Sequence, residues 1–182
     1  MPAATYRQPL AELMDYKRER NQPSHLPNRK HLRRLGHIHP SIKTPLYVIT
    51  TNVKGHRRML SHPAAAQVVI DALHRAEPEH GWLVGRYAVM PSHVHFFTSP
   101  ARDTAKSLSS FVGFWKRGIA IRLRASVLPT FAWQPEFYDH LLRREESYEQ
   151  QWLYLWLNPI NAGLVDDPSS WPYQGEVSVL RW

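Results

Sequence analysis

The sequence predicts an α+β fold of the ferredoxin-like or RRM-like type, an antiparallel sheet in the order β-α-β-β-α-β with two helices on one face. Three observations predict it. β-Branched and aromatic runs alternate with amphipathic segments, two of these runs are separated only by a Pro-Ser turn, and a further amphipathic segment follows the last run. That last segment predicts an extra C-terminal helix, which contains Tyr154.

Four segments have the composition of β-strands. Pro45 and Gly55 bound the first, and the turn at Pro91 and Ser92 joins the second and third into a predicted hairpin. The fourth is a short apolar piece. The predicted strands span residues 46–51, 82–90, 93–98 and about 137–142.

Three segments have apolar residues at helical spacing. The first begins at Pro63 and ends at Gly81, and the second is predicted to be capped by Asp103 or Thr104 and to reach about residue 125. The third runs from about 145 to 157, before Asn158-Pro159. Their apolar stripes are Ala66, Val69, Ile70 and Leu73; Leu108, Phe111, Val112, Trp115, Ile119 and Leu123; and Tyr148, Trp152, Leu155 and Trp156.

The composition excludes several classes of protein. The 182 residues include no cysteine, which excludes disulfide scaffolds, cysteine-ligated metals and thiol catalysis. No signal peptide and no apolar run of membrane-spanning length is readable, so we expect a cytosolic protein without a membrane segment.

The charge of the chain is unevenly distributed. A formal net charge of +8 favours a polyanionic partner, above all nucleic acid. Residues 1–44 hold nine Lys or Arg against three acidic residues and show no sustained apolar period. We interpret them as an extended basic arm before a domain at 45–182, with Arg33 and Arg34 as candidate phosphate contacts. A merely solubilising tail is the alternative.

His93 and His95 flank Val94 in an otherwise apolar strand. Because strand side chains alternate, both imidazoles are expected on one face while Val94 enters the core. Two adjacent neutral imidazoles suit a divalent cation. The motif alone is weak, since most such pairs are ordinary surface or core histidines, and we interpret His37 and His39 in the basic arm that way.

Tyr154 falls on the polar side of its otherwise apolar helix. It lies about 240° around the helix from Tyr148, in a group with Gln150, Gln151 and Asn158. Asn158 follows one turn later, which stacks its amide above the phenol. On spacing alone, a surface tyrosine beside a capping asparagine is the simpler interpretation.

Four segments, in this order, resemble the signatures of REP-associated tyrosine transposases, a branch of the single-tyrosine HUH transposases. The resemblance covers residues 45 to about 175. Ser92 stands where the family usually has Asn, and Asn161 where it has a basic residue. The segments are YAVMPSHVHF at 87–96, WQPEFYDHLLR at 133–143, YLWLNPINAGLV at 154–165 and WPY at 171–173.

The resemblance implies a function for matched positions. His93 and His95 fall on the metal-binding histidines, Tyr154 on the nucleophile, and Asn158 on the residue that completes the metal site. It implies cleavage and rejoining of hairpin-containing single-stranded DNA through a 5′-phosphotyrosine intermediate, with Mg²⁺ or Mn²⁺ as cofactor. It favours a monomer, with a dimer as the alternative.

Other residues are candidates for DNA contact. Lys116 and Arg117 on the second helix, and Arg143, are candidate partners of the DNA backbone, although a solvated helix face or an ion pair is the alternative. The aromatic residues of the 133–143 segment are ambiguous between base stacking and core packing. These aromatics are Trp133, Phe137 and Tyr138.

Three rival functions fit parts of the same sequence. A domesticated, inactive transposase would bind nucleic acid on the same fold. An RRM-type RNA binder would need exposed aromatics where the third strand has His93 and His95. A metal-dependent phosphoesterase would use water in place of Tyr154.

Overall fold

A five-stranded antiparallel sheet organises the chain. The computed structural model describes residues 45–102, 105–142 and 148–180; the predicted basic arm with Arg33 and Arg34, the pair His37 and His39, and Arg143 lie outside them. The strand order is β4-β1-β3-β2-β5, so the first four strands have the ferredoxin-like order and the predicted fold class is confirmed. The strands are β1 Tyr47–Val53, β2 Trp82–Met90, β3 His93–Pro100, β4 Trp133–Leu141 and β5 Gln174–Glu176.

Five α-helices are found in the described ranges, and two of the three predicted helices differ from their predicted bounds. The predicted first helix is divided at Arg75 into α1 and α2. The second is capped by Ser107, whose hydroxyl accepts from the N–H of Ser110 at 3.3 Å, so the prediction of Asp103 or Thr104 as the cap is wrong. The helices are α1 Pro63–His74, α2 Ala76–His80, α3 Leu108–Ser126, α4 Tyr148–Trp156 and α5 Asn158–Asn161.

The sheet has a core on each face. On one face α1 and α3 pack against side chains such as Val94 and Phe96, which form the larger core. On the other face Val48 and Phe97 pack against Tyr148 and Leu155 of α4. The predicted stripe of α3 is buried from Phe111 to Leu123, while Leu108 is half-buried.

Helix α4 is held close to the sheet by Tyr148. Its ring lies 4.4 Å from that of Phe97, and its hydroxyl accepts a hydrogen bond of 3.2 Å from the backbone N–H of Arg86. This close approach of α4 to the sheet requires a glycine at position 85. A Cβ there would lie 2.8 Å from the Tyr148 hydroxyl and 2.7 Å from Leu180 Cδ1. The tyrosine-bearing helix therefore packs on the face opposite α1 and α3.

None of the helices in the described part of the chain has the length and apolar character needed to cross a membrane.

Candidate functional site

The two histidines of β3 lie side by side on the sheet. His93 and His95 are both half-buried, and their ring centroids are 4.7 Å apart with the planes at 80°. Val94 between them is fully buried in the opposite core, as the strand alternation predicts. Since Phe97 follows at the same parity, the imidazoles share the sheet face on which α4 packs.

A hydroxyl lies beside the Nδ1 atom of each imidazole. Thr50 Oγ1 lies 2.8 Å from Nδ1 of His95, its partner across the β1–β3 ladder. Ser92 Oγ lies 3.2 Å from Nδ1 of His93. Among the described residues neither Nε2 has a hydrogen-bond partner. If each Nδ1–H donates to its hydroxyl, each Nε2 carries the lone pair that a metal ligand needs.

Burial keeps both imidazoles neutral. Desolvation, followed by the nearby His56, lowers the pKa of His93 to about 4. Desolvation, followed by the neighbouring His93, lowers the pKa of His95 to about 3. Because neutral imidazole is the form that binds metals, the pair is in its ligating state at neutral pH.

Tyr154 lies on the outer side of α4. Its side chain is 44% exposed, so the phenol is not packed in the interior. The chain after α4 returns to the end of the sheet where the histidines lie, because Trp171 Nε1 donates to the carbonyl of Val89 at 3.1 Å. Val89 is paired with Val94, between the two histidines.

Asn158 follows Tyr154 by one turn and begins α5. Its Nδ2 atom is buried without a hydrogen-bond partner in the described part of the chain, which is unusual for a buried amide. Turning this amide would present its oxygen, a ligand that suits Mg²⁺ or Mn²⁺. The chemistry of His93, His95 and Asn158 therefore fits a divalent cation.

The described residues contain no group of three His, Cys, Asp or Glu side chains able to hold a metal. Within those ranges, a third ligand beside the two histidines would come from another residue type. The structure brings His93 and His95 together, and it places the helix of Tyr154 over their sheet face. That these residues form one site with Asn158 stays a prediction.

The two candidate cations on α3 have different environments. Lys116 is buried, and its ammonium donates to the carbonyls of Gln134, Pro135 and Glu136 at 2.6, 3.0 and 3.3 Å. This arrangement argues against the predicted phosphate contact by Lys116, because the charge already ties α3 to β4. Arg117 is exposed and lines a groove of about 410 Å³ between these two elements.

The ambiguous aromatics separate by their position on β4. Trp133 and Phe137 are buried in the core beneath α1 and α3. Tyr138 points to the other face and is 54% exposed. The sequence missed Thr50 and His56 as neighbours of the histidines, because these contacts depend on strand register and on the turn after β1, which local patterns do not reveal.

Comparison with known proteins confirms the resemblance noted from the motifs. The chain is 26% identical over 133 residues to the REP-associated tyrosine transposase of Escherichia coli K12, covering 72% of this chain and 76% of that protein. It is 25% identical over 97 residues to an uncharacterized protein of Haemophilus influenzae, covering 42% of this chain and 54% of the other. No protein-family model matches the chain.

A solved structure supports the same fold. A REP-associated tyrosine transposase bound to a REP hairpin superposes with a TM-score of 0.59 at 22% sequence identity. The match covers 71% of this chain and 75% of that one. The fold shared with that protein includes the antiparallel sheet that carries His93 and His95 here.

Proposed function

We propose that this chain is a transposase-like enzyme that binds hairpin-containing single-stranded DNA, cleaves it and rejoins it through a covalent bond to Tyr154. The observation that carries the proposal is the pair of neutral, half-buried imidazoles on the sheet face over which the helix of an exposed tyrosine packs. The relation to a REP-associated tyrosine transposase supports the choice of DNA as substrate.

His93, His95 and Asn158 are the residues that would hold a divalent cation, Mg²⁺ or Mn²⁺. When bound, such an ion polarises the scissile phosphate and stabilises the charge that develops on it. Two imidazoles and one amide carry no net charge, so they leave the positive charge of the cation available to the phosphate. Thr50 and Ser92 hold the Nδ1 atoms and thereby fix which ring nitrogen faces the ligand.

Tyr154 supplies the nucleophile. Its hydroxyl oxygen attacks phosphorus, the bond from phosphorus to the 3′ oxygen breaks, and a 5′-phosphotyrosine bond forms. The phenol gives up its proton to solvent, and the departing 3′ oxygen takes a proton to become a free 3′-hydroxyl. The phosphodiester is conserved in the new bond, so attack by another 3′-hydroxyl rejoins strands without a nucleotide cofactor.

DNA binding is assigned to the basic residues outside the metal site. The net charge of +8 favours phosphate contacts through counterion release. Arg117 is an exposed cation of α3, and we assign it to the DNA backbone. Arg143, together with Arg33 and Arg34 in the arm, keeps the same expected role. We expect one chain to act as a monomer.

Covalent trapping tests the proposal. The full chain is incubated with a hairpin oligonucleotide that has single-stranded flanks, in the presence of Mn²⁺, and the products are separated on a denaturing gel. We expect a protein–DNA adduct that is absent with Tyr154→Phe, with EDTA, and with the double variant His93→Ala, His95→Ala.

The rival functions give different results in the same experiment. Cleavage that persists in Tyr154→Phe without an adduct would identify a hydrolase that uses water. Binding without cleavage in every metal would identify an inactive nucleic-acid-binding protein. Full activity of the double histidine variant would remove the metal proposal. Tyr148→Phe, a tyrosine on the same helix, is the matched control and should still form the adduct.

A further inference from the structure

Tyr138 lies in the same cross-strand row of the sheet as His95. Thr50 is the register partner of Tyr138 on β4 and of His95 on β3. Directly opposed residues of an antiparallel sheet point to the same face. Tyr138, Thr50 and His95 therefore stand side by side, with the outer two about 10 Å apart, or two strand spacings.

On β4 the apolar cover of this face does not reach that row, although Ala88, the partner of His95 on β2, is buried. In the neighbouring row Val48 and Phe97 are buried beneath Tyr148 and Leu155 of α4. In contrast, Tyr138 is 54% exposed, and its ring has no aromatic or hydrogen-bonded partner in the described ranges. A large flat side chain is thus left open beside the candidate metal site, on the outermost strand of the sheet.

We infer that Tyr138 is a stacking platform for a nucleobase next to the scissile phosphate. The inference rests on the proposed function, since it needs single-stranded DNA at the histidines. Aromatic side chains beside a phosphate-binding groove hold single strands by stacking, which tolerates any base because every base has a π-face. The tyrosine would position the strand, while the chemistry stays with Tyr154.

The position of Tyr138 distinguishes it from the other aromatics of its strand. Trp133 and Phe137 point to the opposite sheet face from Tyr138 and are buried in the core. Phe114 is the control, because it is 47% exposed but its ring already stacks on His80, with the ring centroids 6.5 Å apart, and it lies on α3, away from the histidines. The ammonium of Lys106 lies 4.6 Å from the centre of its ring.

Equilibrium binding of the full chain to a hairpin oligonucleotide, measured in EDTA so that the DNA stays intact, tests the inference. We expect Tyr138→Ala to weaken binding by about five- to a hundredfold. Tyr138→Phe and Tyr138→Trp should stay within about twofold of the parent, since stacking does not use the hydroxyl. Phe114→Ala should leave the affinity unchanged.

A fluorescent base reports the contact directly. 2-Aminopurine is placed at successive positions of the single-stranded flank, and its emission is quenched when it stacks on an aromatic ring. We expect one position to be quenched by the parent chain and by Tyr138→Phe, but not by Tyr138→Ala. Equal affinities of Tyr138→Ala and Phe114→Ala would overturn the inference, and so would an equal loss in Tyr138→Phe.

The adduct experiment separates the two proposals. An adduct formed by the parent chain, together with unchanged affinity of Tyr138→Ala, would overturn only the stacking platform. Binding and quenching that depend on Tyr138, in a chain that forms no adduct, would overturn the cleavage proposal and support the platform. A chain that binds no single-stranded DNA would overturn both.

Discussion

The hydroxyl of Thr50 lies 2.8 Å from Nδ1 of His95, across the ladder between β1 and β3. The next residue, Thr51, has the opposite parity and is fully buried, and its hydroxyl has no partner among the described residues. The two consecutive threonines of β1 therefore have different roles. Thr50 orients the imidazole of His95, and Thr51 packs in the core.

Replacing Thr50 with Val should weaken metal binding. The change keeps the side-chain shape but removes the group that fixes the His95 ring, and loss of such partners typically costs about 10- to 100-fold in metal affinity. Titration calorimetry with Mn²⁺ measures the effect. Thr51→Val is the matched control and should leave the Mn²⁺ affinity unchanged; equal affinities of the two variants would contradict the assigned role of Thr50.

Lys116 should contribute to the stability of the fold, whereas Arg117 should not. Lys116→Met keeps the aliphatic stem but leaves the three carbonyls of β4 without their donor, so the free energy of unfolding should fall by about 2–3 kcal/mol. Arg117→Ala should change that free energy by less than about 0.5 kcal/mol. Urea denaturation gives both values.

Arg117 should in turn be visible in the salt dependence of DNA binding. Removing one phosphate contact lowers the slope of log affinity against log salt by about 1. We expect this for Arg117→Ala and an unchanged slope for Lys116→Met, measured with the hairpin oligonucleotide between low and moderate salt. A reduced slope in Lys116→Met would restore Lys116 as a phosphate contact.

Gly85→Ala should loosen α4 from the sheet. The added methyl would lie within 3 Å of the Tyr148 hydroxyl and of Leu180, so α4 must shift, at a cost of about 1–3 kcal/mol. Adduct formation should fall with stability, since α4 carries Tyr154. Gly113→Ala is the control: its methyl meets nothing within 4 Å in α3, and it should stabilise the protein by about 0.5–1 kcal/mol.

Tyr148 should make the protein sensitive to alkali. Burial, the largest cause, raises the pKa of its phenol to about 12, whereas an unfolded tyrosine titrates near 10. The unfolded chain therefore loses this proton first, so the stability that Tyr148 contributes is complete below pH 10 and is lost as the pH rises towards 12. The loss amounts to about 2–3 kcal/mol.

Urea denaturation at pH 8 and pH 11 tests this dependence. Tyr148→Phe should start about 1 kcal/mol less stable at pH 8, because the hydrogen bond from the Arg86 N–H is lost. Between pH 8 and pH 11 its free energy of unfolding should then fall less than that of the parent chain. Parallel declines of the two proteins would show that the Tyr148 phenol is not the group responsible.

The sequence predicted the parts of the fold that depend on local periodicity. Strand β2 has the predicted bounds, and the alternation around Val94 placed both histidines on one face. Features set by tertiary contacts were not predictable in this way. The cap at Ser107 is one, because Asp103 and Thr104 are equally good capping residues and the sequence does not show where the chain enters the helix.

The site was predictable only in its chemistry-bearing residues. His93, His95 and Tyr154 became candidates through the family resemblance of their segments, whereas the partner hydroxyl of Thr50 depends on a pairing of residues 45 positions apart. Lys116 shows the opposite case: its charge indicated a DNA contact, but its burial against three carbonyls could not be read from a helix pattern.

Helix α4 lies on the sheet of its own chain, anchored by Tyr148 over Phe97. If Tyr154 and the histidines act together as proposed, nucleophile and histidines would then belong to the same polypeptide. Under the proposed mechanism, the rate of strand cutting would then rise with the first power of enzyme concentration. A mixture of a Tyr154 variant and a histidine variant should show no cleavage, because neither chain would contain both the nucleophile and the histidines.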